Sequence, residues 1–182
     1  MITSLEPAHY VRTPWKNGGG VTVDIAADGD DWRFSRTPIT APGAFSDYTG
    51  FDRWQVLIAG NGLVLQTPTG EIDVRRPFRP VRFDGATPIV SRLEAGPVEV
   101  INLMGERARV QLELAVLDAG GTRALGPGLH IAYCPASQAV LRLGDREHAL
   151  QADHGLRIED MDVVATCRAG RIVLGSVLCV SR

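Results

Sequence analysis

The residues best equipped for chemistry lie near the start of the chain, in Pro14-Trp15-Lys16-Asn17-Gly18-Gly19-Gly20. A glycine loses more backbone freedom on folding than an alanine, by about 0.5–1 kcal/mol. Three in a row therefore mark positive φ angles or a close approach of the backbone to something else. Two readings stand side by side. In one, the loop needs a tight bend, Trp15 plugs the core and Lys16 is solvated. In the other, Lys16, Asn17 and the unshielded amides of Gly18 and Gly19 surround an anion or a polar group. The run is neither a GxxxxGK[ST] phosphate loop nor a GxGxxG turn, and both of those open a helix. Here Val21-Thr22-Val23-Asp24-Ile25 follows with the alternation of a strand.

Metal-ligand patterns are missing. The four histidines, His9, His130, His148 and His154, include no His-x-His pair and no glutamate at ligand spacing, so no metal is expected. Cys134, Cys167 and Cys179 are an odd set without CxxC spacing, which argues against a disulfide framework and a thiolate zinc site. They read as buried thiols, Cys179 within the apolar run Val177-Leu178-Cys179-Val180. No Ser-His-Asp order, nucleophile elbow or activated cysteine appears. No catalytic residue and no cofactor are assigned, and Glu159-Asp160-Met161-Asp162 reads as a solvated turn.

The elements that must position these residues are strands. Glycine and proline interrupt the chain too often for ordinary helices, which makes the fold class all-β with little helix. Gly62–Thr67 and Val140–Leu143 are runs of β-formers, ended by turns at Pro68-Thr69-Gly70 and Gly144-Asp145. The best helical stretch, around Asp47–Asp52, is short and broken by glycine. Leu63–Ile72 laid beside Ala139–His148 shows the same strand, turn and return strand, and each is followed by a third strand, Val81-Arg82-Phe83 or Leu156-Arg157-Ile158. Such a repeat implies two stacked β-sandwich or barrel units. With 45% apolar and 22% charged residues the chain should fold as a globular domain. A net charge of −2 with scattered basic residues excludes nucleic acid as a partner. No apolar run is long enough to span a bilayer and Met1–Tyr10 lacks a signal-peptide core, so no membrane partner and a cytoplasmic location are expected.

Four ordered motifs resemble the HutD/Ves family: Trp15-Lys16-Asn17-Gly18-Gly19-Gly20-Val21-Thr22, Asp31-Trp32-Arg33-Phe34-Ser35, Gly43 to Arg53 (GAFSDYTGFDR), and Val100-Ile101-Asn102-Leu103-Met104. From about Arg107 onward the match is only in strand pattern. The resemblance implies a bicupin, one compact domain over 1–182. Its N-terminal jelly-roll unit would span roughly 1–105 and its C-terminal unit roughly 106–182, with strands shared between them. It also implies a role linked to histidine utilisation, exercised as a regulator that binds a small polar or carboxylate metabolite. Lys16 and Arg53 are the cations in the matched motifs that suit a carboxylate, Arg53 by a bidentate fork and Lys16 as a point charge. The other reading of Arg53 is a surface arginine paired with Asp52 or Asp47. Ser46, ahead of Ser35, is a candidate hydrogen-bond donor, or else a turn-former. Asn102 is a candidate pocket residue, or an inward amide tying a loop. Trp32 and Met104 read as core. A metal-independent isomerase or hydrolase on a related acid, and a protein-interaction module, are the alternatives in function, and a homodimer is an open one in assembly.

Overall fold

The structure, a computed structural model, describes residues 1–15 and 20–180. In chain order the strands are β1 (Ile2–Leu5), β2 (Val11–Pro14), β3 (Val21–Asp28), β4 (Trp32–Ile39), β5 (Gly43–Ala44), β6 (Phe51–Ala59) and β7 (Leu63–Thr67). There follow β8 (Gly70–Asp73), β9 (Val81–Asp84), β10 (Val90–Leu93), β11 (Val98–Glu106), β12 (Val110–Asp118) and β13 (Thr122–Leu125). The last are β14 (Leu129–Tyr133), β15 (Gln138–Leu143), β16 (Arg146–Gln151), β17 (Gly155–Glu159), β18 (Val163–Ala169) and β19 (Arg171–Cys179). Among the described residues the only helical element is a 3-10 turn at Pro7–His9, so no helix there is long and apolar enough to cross a membrane.

The chain divides into two compact units. Tyr10–Val110 forms one, from a six-stranded sheet β2-β3-β4-β11-β6-β9 and a four-stranded sheet β5-β10-β7-β8. Met1–His9 and Gln111–Arg182 form the other, from a five-stranded sheet β1-β17-β14-β19-β12 and a four-stranded sheet β13-β18-β15-β16. Adding eight to each strand number converts β4-β11-β6-β9 into β12-β19-β14-β17, and β5-β10-β7-β8 into β13-β18-β15-β16. The hairpins that look alike in sequence, β7-β8 and β15-β16, are therefore equivalent elements of two copies of one fold. The division falls at Val110 rather than near residue 105, and the chain start belongs to the C-terminal unit. β1 pairs antiparallel with β17, Ile2 opposite Ile158, and Ile2 packs on that unit's apolar core.

In each unit a face of the larger sheet packs on the smaller one, as expected of a two-sheet all-β unit. In the N-terminal unit Ile39, Leu57, Phe83, Val98 and Val100 meet Leu63 and Leu65. In the C-terminal unit Ala132, Leu156, Ile158 and Leu174 meet Leu141, Leu143, Ala165 and Cys167.

The short stretch around Asp47–Asp52 forms no helix, in keeping with its glycine: it turns at Thr49–Gly50 and enters β6 at Phe51. Asp47 Oδ1 accepts hydrogen bonds from the Thr49 amide and hydroxyl, both at 2.8 Å, and Gly50 takes φ +90°, so the side chain and the glycine satisfy a turn where a helix would have to start. One local expectation, the burial of Cys179, is corrected. Cys134 and Cys167 are buried, but Cys179 is exposed. β14 begins at Leu129, opposite Val177, and β19 runs on past it. Burial pushes both inner thiols up, which makes them inert packing groups.

Candidate functional site

The inner face of the six-stranded sheet is graded from apolar to charged. Strand alternation and register set the side chains out in cross-strand rows. Deepest is Ile39 opposite Val98, then Thr37–Val100–Leu57. Next comes Asp24–Ser35–Asn102–Gln55, and then Arg33–Met104–Arg53–Phe83. The first two rows are ordinary core. The last two rows put polar and charged side chains on the same face.

A chain of hydrogen bonds runs across these rows. Trp15 Nε1 donates to Thr22 Oγ1 at 2.9 Å, and the hydroxyls of Thr22 and Thr37 are 3.3 Å apart. Asn102 Nδ2 donates to Thr37 Oγ1 at 3.2 Å, and Gln55 Nε2 donates to Asn102 Oδ1 at 2.9 Å. Gln55 is 1% exposed, yet its Oε1 is enclosed with no hydrogen-bond partner. At the far end of the row Asp24 accepts from Thr13 Oγ1 at 3.0 Å and lies 3.4 Å from Arg33 Nε.

Arg53 stands two residues before Gln55 on the same face. It is 8% exposed. Its guanidinium carbon lies 5.1 Å from the ring centroid of Phe45, 5.4 Å from that of Tyr48 and 5.1 Å from that of Phe83. No carboxylate among the described residues pairs with it, and Nε is enclosed without an acceptor. Loss of hydration on burial lowers its pKa to about 10, opposed by the Tyr48 phenol. Ring faces hold a cation but cannot accept its directed N–H bonds as an oxygen does.

The cage is positioned by backbone. Phe45 donates its amide to Ile89 O at 2.8 Å, Tyr48 to Gly85 O at 3.0 Å, and Gly85 to Phe51 O at 2.9 Å. A Cβ on Gly85 would lie 2.3 Å from Tyr48 O, so the loop that carries Tyr48 rests directly on this glycine. On the outer face Asp52 pairs with Arg82 at 2.8 Å and Arg107 at 2.9 Å. The partner considered for Arg53 is thus taken by other arginines, on the opposite side of β6.

Of the candidates named from sequence, Arg53 and Asn102 come together on this face. Ser35, 2% exposed, lies directly opposite Asn102, whereas Ser46 is exposed and has no hydrogen bond among the described residues. Lys16, Asn17, Gly18 and Gly19 lie outside the described residues. Their flanks meet, Trp15 N donating to Gly20 O at 2.9 Å. Gln55, Thr22, Thr37, Phe45, Tyr48 and Phe83 escaped the sequence reading. The signal was the spacing Arg53-x-Gln55-x-Leu57, polar groups sharing a face with a core leucine.

The C-terminal copy fills the equivalent face differently. Its register pair His130–Ser176, on β14 and β19, is the counterpart of Arg53–Met104 on β6 and β11, with Ile158 standing where Phe83 stands. Gly126 O can only accept, so His130 Nε2 donates to it at 3.0 Å, and Nδ1 then accepts from Ser176 Oγ at 2.9 Å. That pair is satisfied within itself. Tyr10–Val110 contains no histidine and no cysteine, and no group of three or more His, Cys, Asp or Glu among the described residues is placed to hold a metal.

Comparison with known proteins agrees with this architecture. An uncharacterized 21.2 kDa protein in the hutC 3' region of Pseudomonas putida is 29% identical over 77% of this chain and 81% of its own. The structure of HutD from Pseudomonas fluorescens SBW25, solved in a formate condition, superposes with TM-score 0.85 at 26% identity over the whole of both chains. A conserved protein of unknown function from Pseudomonas aeruginosa PAO1 superposes with TM-score 0.88 at 22% identity over the whole of both chains, a likeness of fold. More distant likenesses reach proteins of the cupin fold, among them a salicylate 1,2-dioxygenase from Pseudoaminobacter salicylatoxidans at TM-score 0.60. The HutD family model matches residues 7–174, and the chain belongs to the HutD family.

Proposed function

We propose that the N-terminal unit binds a small carboxylate and that the protein acts as a metabolite-responsive regulator linked to histidine utilisation. The observation that carries this reading is Arg53, a cation held among three rings with an enclosed Nε that no acceptor satisfies. Burying an unpaired charge costs stability, so a fold that keeps one has a use for it. A carboxylate supplies both the missing charge and the missing acceptor. Asn102 belongs to the wall beside it, and Lys16, Asn17, Gly18, Gly19 and Ser46 join the proposal on the strength of their motifs. Two findings support the link to histidine utilisation: the match to the HutD family model, and the Pseudomonas putida relative that lies in the hutC 3' region.

The test is a thermal-shift screen against histidine, urocanate, formylglutamate, glutamate, formate and unrelated acids, for Arg53→Met beside the parent chain. Ligand at about 100 times its Kd adds roughly 2.7 kcal/mol, a clear rise in Tm. A selective rise in the parent, absent from Arg53→Met, is expected. With no buried charge to hold, the unliganded variant should be at least as stable as the parent. Silence across the panel, or an undiminished shift in Arg53→Met, would refute the proposal.

A further inference from the structure

Arg53 Nε and Gln55 Oε1 are an enclosed donor and an enclosed acceptor on one inner face, and neither has a partner. Both residues are at least nine-tenths buried, Arg53 at 8% and Gln55 at 1% exposure. They are strand neighbours at i and i+2, so their Cα atoms are about 6.6–6.8 Å apart, and long side chains at that spacing can meet. Here they do not bond to each other. Gln55 spends its NH2 on Asn102, which fixes the direction in which Oε1 is presented, and the rings of Phe45, Tyr48 and Phe83 fix the guanidinium. A bare carboxylate answers only one of the two, because it has acceptors and no donor.

Resting on the carboxylate reading of Arg53, we infer that the ligand class is a carboxylate that also carries a neutral N–H or O–H donor a few bonds away, received by Gln55 Oε1. Two features favour a neutral donor over an ammonium. An ammonium would sit beside the Arg53 cation. The carboxylate in the Gln55 row, Asp24, stands three strands away, roughly 14 Å on strand spacing, too far to meet a group held by Gln55; its Oδ2 accepts from Thr13, and its Oδ1, without a hydrogen bond, faces Arg33 at 3.4 Å. Gln55, as a neutral acceptor, offers an ammonium no counter-charge. Acylated amino acids and hydroxy acids fit this pattern, while plain acids and free amino acids do not.

The chemical test is an isosteric pair. N-acetylglycine and levulinate differ only in an N–H where the other has a CH2. Ligand-observed NMR titration of the full chain should find N-acetylglycine bound about three- to tenfold tighter, the effect of one neutral hydrogen bond that would otherwise be left unmade. Glycine, with an ammonium and no neutral donor, should bind more weakly than N-acetylglycine. Gln55→Met should erase the preference while keeping levulinate binding. Gln55→Glu, which places an internal carboxylate beside Arg53, should lose both probes. Equal affinity of the two probes for the parent chain, each still lost in Arg53→Met, would overturn this inference and leave the carboxylate reading intact. Saturable binding of neither would overturn both.

Discussion

Arg53 is the residue where stability and use pull apart. Its neighbours Asp52 and Trp54 point to the other side of β6, so the alternation that buries Gln55 and Leu57 drags the cation inward with them. The rings offset part of the lost hydration, and the pKa near 10 records the remainder. That value has a consequence for binding. The guanidinium is charged below about 10 and loses its charge as pH rises through it, so affinity for a carboxylate is present below that pH and lost above it. At the other limit the ligand carboxyl protonates near pH 4. Calorimetric titrations should therefore give an affinity flat from about pH 6 to about pH 9 and falling beyond about pH 10. A drop between pH 6 and 8 would point to a histidine at the site and contradict the assignment, because Tyr10–Val110 has none. Among single residues, the motifs named Arg53 and Asn102, and strand alternation turns both inward. The choice between Ser35 and Ser46 was not, since it turns on which serine lies inside a strand facing the interior and which lies in a turn.

At the scale of elements, the site is a strand, β6, and a loop pressed against it. The loop from Phe45 to Gly50 carries two of the three rings, and its backbone is held by Gly85, just past β9. Gly85→Ala would set a Cβ 2.3 Å from Tyr48 O and 2.9 Å from Phe51 O. Both are backbone atoms that cannot swing aside. Loop displacement should cost about 1–3 kcal/mol by the usual scale of overpacking and weaken carboxylate binding with it. Gly43→Ala, where a Cβ meets nothing within 4 Å and φ is not positive, should leave stability and binding unchanged. Thermal unfolding and titration of the two variants together make the check, and a Gly85→Ala protein that binds like the parent would remove the loop from the site. Hairpins such as β7-β8 were legible because alternation and Pro-Thr-Gly turns are local signals. The loop was not. Asp47, Thr49 and Gly50 form a local turn that composition alone confuses with a helix start, and its contact with Gly85 joins residues distant in sequence. Cys179 shows the same limit, since its exposure depends on where the partner strand β14 happens to begin.

At the scale of the whole molecule, the chain contains one fold twice with opposite interiors. The hairpin similarity in sequence reflects this duplication, because turns and strand lengths survive in both copies. Which copy carries the unpartnered Arg53 and Gln55 atoms on this face could not be read from it, because that depends on the few inward positions where the registers line up. In the N-terminal unit those positions hold Arg53, Gln55, Asn102 and Ser35; in the C-terminal unit the hydrocarbon of Ala132, Leu156, Ile158 and Leu174 surrounds the self-satisfied pair His130–Ser176. The His130–Ser176 pair is satisfied within itself, so on this sheet face it presents no unpaired group for a ligand to answer. Calorimetry should accordingly find one carboxylate per chain. Leu141→Ala, at a site with 0% exposure, should cost about 2–5 kcal/mol as a large-to-small core change, yet leave the affinity of the folded protein within about twofold, because Leu141 belongs to the core of the other unit and substitutions that share no partners are close to additive. Two equivalent sites per chain, or an affinity that falls in step with the C-terminal core, would mean that the second copy takes part in binding after all.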